Sequence, residues 1–147
     1  TEPFSDLGTL GALVTGAAQN QIVVATNAQS GYSMWVLGGT MTSGNNTIAA
    51  LAIGSPSAKG TAQFGMNLRA NTAPIVGADP VGPGVATINP LYFQQNQFRY
   101  VSGDQLATTT APDDLRKYTV SYIVNVPSNQ PGGVYATTLT YVALANF

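Results

Sequence analysis

Histidine and cysteine are both missing from this chain, and their absence decides most of what chemistry it can do. Without imidazole or thiol there is no His-dependent triad, no thiolate nucleophile and no His- or Cys-ligated zinc. Six carboxylates remain. A glycosidase needs two of them facing each other at ~5–9.5 Å. Asp113 and Asp114 are adjacent, so in an extended chain they point to opposite faces, and their place just ahead of a strand marks a turn. Asp79, Asp104 and Asp113 come from turn-rich segments and could join as an oxygen-ligand Ca²⁺ site, but no spaced acidic loop motif accompanies them. The expectation is a non-enzymatic protein with no catalytic residue, no cofactor and no metal.

The other candidates for chemistry read the same way. Lys59 and Lys117 could form isopeptide links to asparagine, yet Asn125 lies far along the strand that Lys117 opens, and a solvated edge lysine that discourages pairing is the simpler account. Gly31-Tyr32, Gly38-Gly39 and Gly82-Pro83-Gly84 hold no phosphate-cradling pattern and punctuate turns. Asn45-Asn46-Thr47 fits the N-glycosylation acceptor pattern, a short signal of low specificity. Tyr32, Trp35, Tyr92 and Phe93 are candidates to stack on sugar faces. For Trp35 the competing role is a core residue bridging two layers.

The elements that must position these residues are strands. Arg116–Val126 alternates, with Tyr118, Val120, Tyr122, Val124 and Val126 on one face and Thr119, Ser121, Ile123 and Asn125 on the other, the period of a half-buried strand. Pro127 and Pro131 cannot donate to a ladder and Gly132-Gly133 suit a reversal, so the chain is expected to return from Val134 to Phe147 as the second arm of a long hairpin. Further strands are expected at Gln21–Thr26, Tyr32–Leu37 and Gln95–Val101. Gln63–Arg69 is another, with Phe64, Met66 and Leu68 inward and Gln63, Asn67 and Arg69 outward. Thr47–Ile53 is an apolar run whose alanines leave a helix possible. Residues 70–90, with Pro74, Pro80, Pro83 and Pro90, are read as a long loop with a role or a packed form of its own.

Residues 1–16 are the open question. Phe4, Leu7, Leu10 and Leu13 or Val14 recur at three to four residues with Ser5-Asp6 as a possible cap, while Gly8 and Gly11 weaken a helix by ~1 kcal/mol each. A short helix and an irregular arm both fit. Such an arm either caps one end of its own core or is exchanged between subunits. Residues 17–147 then form a single domain.

Composition limits the partners. Apolar residues are 44% of the chain but charged residues only 7%, against a usual ~25%, so Thr, Ser, Asn, Gln and Gly must cover the surface. Five scattered basic residues and a net charge of −1 leave no footprint for nucleic acid. No apolar run approaches the ~20 residues of a membrane span. So small a net charge supplies little colloidal repulsion, a first sign of self-association. Thr1 in place of Met suggests a mature secreted chain that has lost a signal peptide.

The runs Thr26–Tyr32, Gly39–Ile48, Tyr118–Val126 and Pro131–Tyr141 onward resemble small secreted bacterial surface proteins, of Gram-positive-like and ultrasmall bacteria, distantly similar to WxL cell-wall domains. Trp35-Val36-Leu37 matches one Trp-x-Leu motif; Leu139-Thr140-Tyr141 stands where a second would fall. The resemblance implies an extracellular or cell-surface, envelope-associated, non-enzymatic sandwich. The fold expected is all-β, an antiparallel immunoglobulin-like sandwich of six to eight strands. The function expected is a structural subunit of a self-assembling filament, sheath or surface layer, with Phe4, Leu7, Leu10, Leu13 and Phe147 as subunit contacts. A non-catalytic cell-wall glycan module and a viral tail or coat subunit are the alternatives.

Overall fold

In the computed structural model, which describes residues 4–147, the strands run β1 (Gly16–Thr26), β2 (Tyr32–Gly38), β3 (Thr42–Ser43), β4 (Asn46–Thr47), β5 (Gln63–Asn67), β6 (Asn71–Thr72), β7 (Ile75–Val76), β8 (Thr87–Ile88), β9 (Gln105–Thr109), β10 (Asp113–Asn125) and β11 (Leu139–Ala145). A 3-10 turn spans Pro90–Tyr92, and there is no α-helix among the described residues. The protein is therefore all-β, with every strand pair antiparallel. Two main sheets carry it, one of order β1-β10-β5 and one of order β11-β2-β9-β8.

The alternating run at Tyr118–Val126 does become a strand, but its predicted hairpin does not form. β10 pairs with β1 and β5, whereas β11 pairs with β2 in the other sheet. Pro127–Gly133 thus carries the chain from one sheet to the other. A local pattern specifies that a strand exists and which face is apolar, but not which strand lies beside it.

Nor is β10 half-buried. Tyr118, Val120, Tyr122 and Val124 enter one apolar cluster with Tyr32, Met34 and Val36 of β2, Phe64 and Met66 of β5 and Leu106 of β9. On the opposite face Thr119, Ser121, Ile123 and Asn125 are also buried. What covers them is loop: Phe98 and Val76 pack on Ile123, and Gly77, at φ 87, lies so close to Ser121 that no side chain fits. Consequently Gln63 and Asn67, expected outward on β5, are buried too. The Asn67 amide donates to Asn71 Oδ1 at 2.7 Å and to the Gln97 carbonyl at 2.9 Å. Gln63 Oε1 accepts from Asn125 Nδ2 at 2.9 Å. Amides substitute for water on this face, as burial demands.

Other expectations change for local reasons. Gln95–Val101 is not a regular strand: it makes isolated bridges, Phe98 to Ser55 and Arg99 to Met66. Thr47–Ile53 forms neither a helix nor a long strand: Asn46–Thr47 pairs with β3, and Ala50 makes an isolated parallel bridge to Phe64. The 70–90 segment contains the small β6–β7 hairpin, turning through a cis Ala73–Pro74 bond, and β8. β9, Gln-Leu-Ala-Thr-Thr, lacks the alternation of apolar and polar residues by which a strand declares itself. Lys117 is not an edge lysine, because its backbone bonds Val81 on the side of β10 away from β1.

Two tyrosine pairs cross the core between sheets. The Tyr32 and Tyr118 hydroxyls meet at 2.7 Å, fully buried, and neither has another hydrogen-bond partner among the described residues. Removing one oxygen leaves the other unsatisfied, whereas removing both leaves an apolar contact. Tyr32→Phe or Tyr118→Phe is thus expected to cost ~1–3 kcal/mol in urea unfolding, and the double variant to cost much less than the sum. Additive losses would show the pair to be uncoupled.

Candidate functional site

Strand edges are the feature that these sequences leave exposed. In β1 the run Gly-Ala-Ala-Gln-Asn-Gln-Ile-Val-Val-Ala-Thr has no charge and no proline, and neither does Leu-Thr-Tyr-Val-Ala-Leu-Ala in β11. Each is the terminal strand of its sheet. Asn20 of β1, Tyr122 of β10 and Tyr141 of β11 are hydrogen-bonded in series at 2.5 Å each. That chain sets both free edges on one flank. Tyr122 gives its single proton to Asn20 Oδ1, so Tyr141 donates to Tyr122, with Met66 Sδ 3.7 Å from the Tyr141 oxygen.

The opposite flank is closed. Ala49 and Leu51 bond Phe64 along β5, and Arg99 bonds Met66. β8, the other terminal strand, has two residues. Short or covered edges resist pairing with other chains; long, uncharged, proline-free ones invite it.

Between the two free edges opens a cleft of about 1320 Å³, lined by Asn20 and Gln21, by Met41, Phe64 and Tyr122 at its floor, and by Leu139 and Tyr141. Residues 4–12 and 127–138 form its walls. Of the expected arm at 1–16, residues 1–3 lie outside the described residues, and residues 4–15 are an arm, not a helix. It folds back at a turn closed by Val14 N–H to the Gly11 carbonyl, 3.0 Å. Leu7 and Leu10 lie partly buried against the core. Gly16 permits this approach, since a Cβ there would stand 2.5 Å from the Leu7 carbonyl.

The predicted contact residues thus divide. Leu7 and Leu10 cap their own core, while Phe4 is 68% exposed, Leu13 84% and Phe147 fully. Phe147 is not near the arm: it follows the end of β11 that pairs with Tyr32, and the cleft lies at the Leu139 end. The predicted stacking residues are not brought together. Tyr32 and Tyr92 are buried core residues, Tyr92 donating to Asp104 at 2.8 Å. Phe93 is held beneath the Arg69 guanidinium, 4.6 Å from its ring centre. Trp35 does not bridge the layers. β2 turns Tyr32, Met34 and Val36 inward, so Trp35 sits half-buried on the outer sheet face beside Leu37, Val142 and Leu144.

The carboxylates are occupied separately. Asp113 accepts from the Val85 and Ala86 N–H groups at 2.6 and 3.2 Å, Asp79 from Ala70 N–H at 3.0 Å, and Asp104 from Tyr92 and Arg99. They form no common ligand set, and no group of three metal-binding side chains occurs among the described residues. No helix there is long and apolar enough to cross a membrane. Comparison of the chain with protein-family models, curated proteins and solved structures finds no match.

The cross-sheet tyrosines were missed from sequence; Tyr118 and Tyr122, four apart on one strand face, were the available signal. Burial raises the pKa of Tyr122 to about 12, and burial likewise raises Tyr32, Tyr92, Tyr100, Tyr118 and Tyr141. The unfolded chain ionises at about pH 10. Above that pH it binds fewer protons than the folded chain, so stability is whole below pH ~10 and is lost as pH climbs through the folded values. The urea midpoint is expected to fall steeply above pH ~10, with phenolate absorbance rising together with unfolding. Ionisation of Tyr32, Tyr118 and Tyr122 in a chain that remains folded would contradict their burial.

Proposed function

We propose that this protein is a structural subunit that assembles with copies of itself, through strand edges and apolar arm contacts, into an extracellular filament, sheath or surface layer. The observation that carries this reading is the flank left open among the described residues, where β1 and β11 offer uncharged, proline-free edges to a chain of the same kind. Strand addition satisfies their outward backbone groups and needs no charged anchor, in keeping with a surface nearly devoid of charge. The exposed Phe4 and Leu13 at one end and Phe147 at the other are different surfaces, which suits a head-to-tail contact and hence an open chain rather than a closed pair. The protein in this reading is an immunoglobulin-like sandwich without catalytic activity, secreted to the cell surface as the WxL-like resemblance implies.

Binding of cell-wall glycan is the second reading, and only Trp35 favours it. Its half-exposed ring lies on a sheet face that carries Gln105, Thr108 and Thr140 nearby and no charge in the same rows. Trp fluorescence titrated with wall glycan separates the readings: a saturable change lost in Trp35→Phe supports the second.

Charge on the free edges is the direct test of assembly. Val23→Lys with Ala143→Lys alters two exposed positions, one on each edge, where substitution costs within ~0.5 kcal/mol. The expected result is loss of polymers in light scattering and negative-stain images with an unchanged far-UV spectrum. Polymers of undiminished length would refute the edge contacts.

A further inference from the structure

We infer that the cleft between β1 and β11 is a socket for the N-terminal arm of a second copy, exchanged by opening the turn at residues 11–14. The inference rests on the self-assembly reading and names its partner segment. The arm in its own cleft is badly used. Of four large apolar side chains spaced three apart, Leu7 and Leu10 reach the core, and Phe4 and Leu13 face outward. The reason is the turn, which reverses the chain at Gly11–Val14 and swings Leu13 and Val14 into solvent.

An unreversed arm behaves differently. Extended chain of the polyproline type has three residues per turn and ~3.1 Å rise, so Phe4, Leu7, Leu10 and Leu13 would fall on one edge of a rod ~28 Å long. A period of three matches neither the two-residue alternation of a strand nor the 3.6-residue turn of a straight α-helix. It suits a segment laid in a groove. The groove is present: with the resident arm as part of its wall it still holds about 1320 Å³, with Met41, Phe64, Tyr122, Leu139 and Tyr141 along it, and Leu7 and Leu10 of that arm already pack against the core. The contacts needed by a visiting arm are thus the contacts a resident arm makes, with two more side chains added.

Little holds the arm at home. Among the described residues it makes no backbone hydrogen bond to β1 or β11, and the turn is closed by one such bond, Val14 to Gly11. Opening it makes the arm continuous with β1 and directs it away from its own domain. Exchange of an identical element between copies costs little when the hinge alone changes. Because arm and socket are different surfaces, each subunit gives one arm and receives one, and the contact propagates.

The chain has no cysteine, so engineered thiols report without background. Leu10 Cδ2 and Val124 Cγ1 lie 3.1 and 2.7 Å from the point where a Gly16 Cβ would stand, so the two side chains converge on one place and Leu10→Cys with Val124→Cys probes which copy's arm fills it; an intrachain disulfide in the double variant shows that the pair can link. Full-length chains of different tag size, one with each substitution, are mixed and mildly oxidised. Exchange predicts a disulfide-linked dimer containing one of each, absent from either variant alone. It also predicts that Leu13→Asp, at a position solvated in the closed arm, leaves monomer stability unchanged and lowers that dimer at least tenfold. Assemblies in light scattering with no mixed dimer would overturn the exchange and leave edge pairing standing. A purely monomeric chain would overturn both.

Discussion

One constraint organises this molecule: β10 is buried on both faces. A strand covered on one side can present water-soluble residues on the other, but Thr119, Ser121, Ile123 and Asn125 are as enclosed as the tyrosines and valines opposite. Each of their polar atoms must then be met by protein. Thr15 donates to Asn125 Oδ1 at 2.6 Å, Asn125 donates to Ser57 and Gln63, and Ser121 donates to the Arg69 carbonyl at 3.2 Å. Gln63 apart, which belongs to β5, those partners come from loops remote in sequence, and this explains why so many loops are held close to the sheet. The proline- and glycine-rich segment 70–90 is one of them, fixed by Asp113 at Val85 and Ala86 and by Val81 at Lys117.

The same constraint accounts for the chain's chemistry of composition. A charge buried on the outer face of β10 would need a paired countercharge to offset desolvation, whereas an amide needs only neighbouring carbonyls and amides. Asn67 and Asn71 satisfy each other reciprocally, at 2.7 and 2.9 Å, and Asn71 also accepts the Asn96 N–H. Abundant Asn and Gln with little charge thus belongs partly to the interior, and is not only a feature of the surface.

Periodicity made the inner face of the structure legible. Tyr118 to Val126, Tyr32 to Val36 and Phe64 to Leu68 all bury the side that alternation selects. What alternation cannot report is whether the other side is covered, because Asn67 or Gln63 looks identical whether it meets water or an amide from thirty residues away. The partner of each strand was equally hidden: a proline- and glycine-rich link such as Pro127–Gly133 fits a hairpin and a crossing between sheets alike. Trp35 misled for a related reason. Bulk on both faces of β2 identified a central strand correctly, but the bulk on the outer side packs with Leu37, Val142 and Leu144 at the surface and not in the core. The arm's apolar residues were visible as a set, and only the turn at Gly11–Val14 divides them.

Burial of β10 also determines where the molecule is left unfinished. Its far edge is shared between β5 and the Val81–Gly84 stretch, and β5 is in turn capped by Ala49–Leu51 and Arg99, so the polar loops that enclose the outer face finish that flank as well. The near edge is given to β1, and the covering loops reach β1 mainly through Gln19, which accepts the Gly77 N–H at 2.7 Å. Among the described residues no further segment pairs beyond β1, and none beyond β11. Proteins that stay single blunt such edges with lysine, proline or a bulge. Here the bulge between Val24 and Thr26 is the one such device in either strand, and it comes at the far end from the cleft. The open flank, the cleft and the loosely fitted arm therefore coincide at one corner of the fold, the corner where another chain of the same sequence has most to bury.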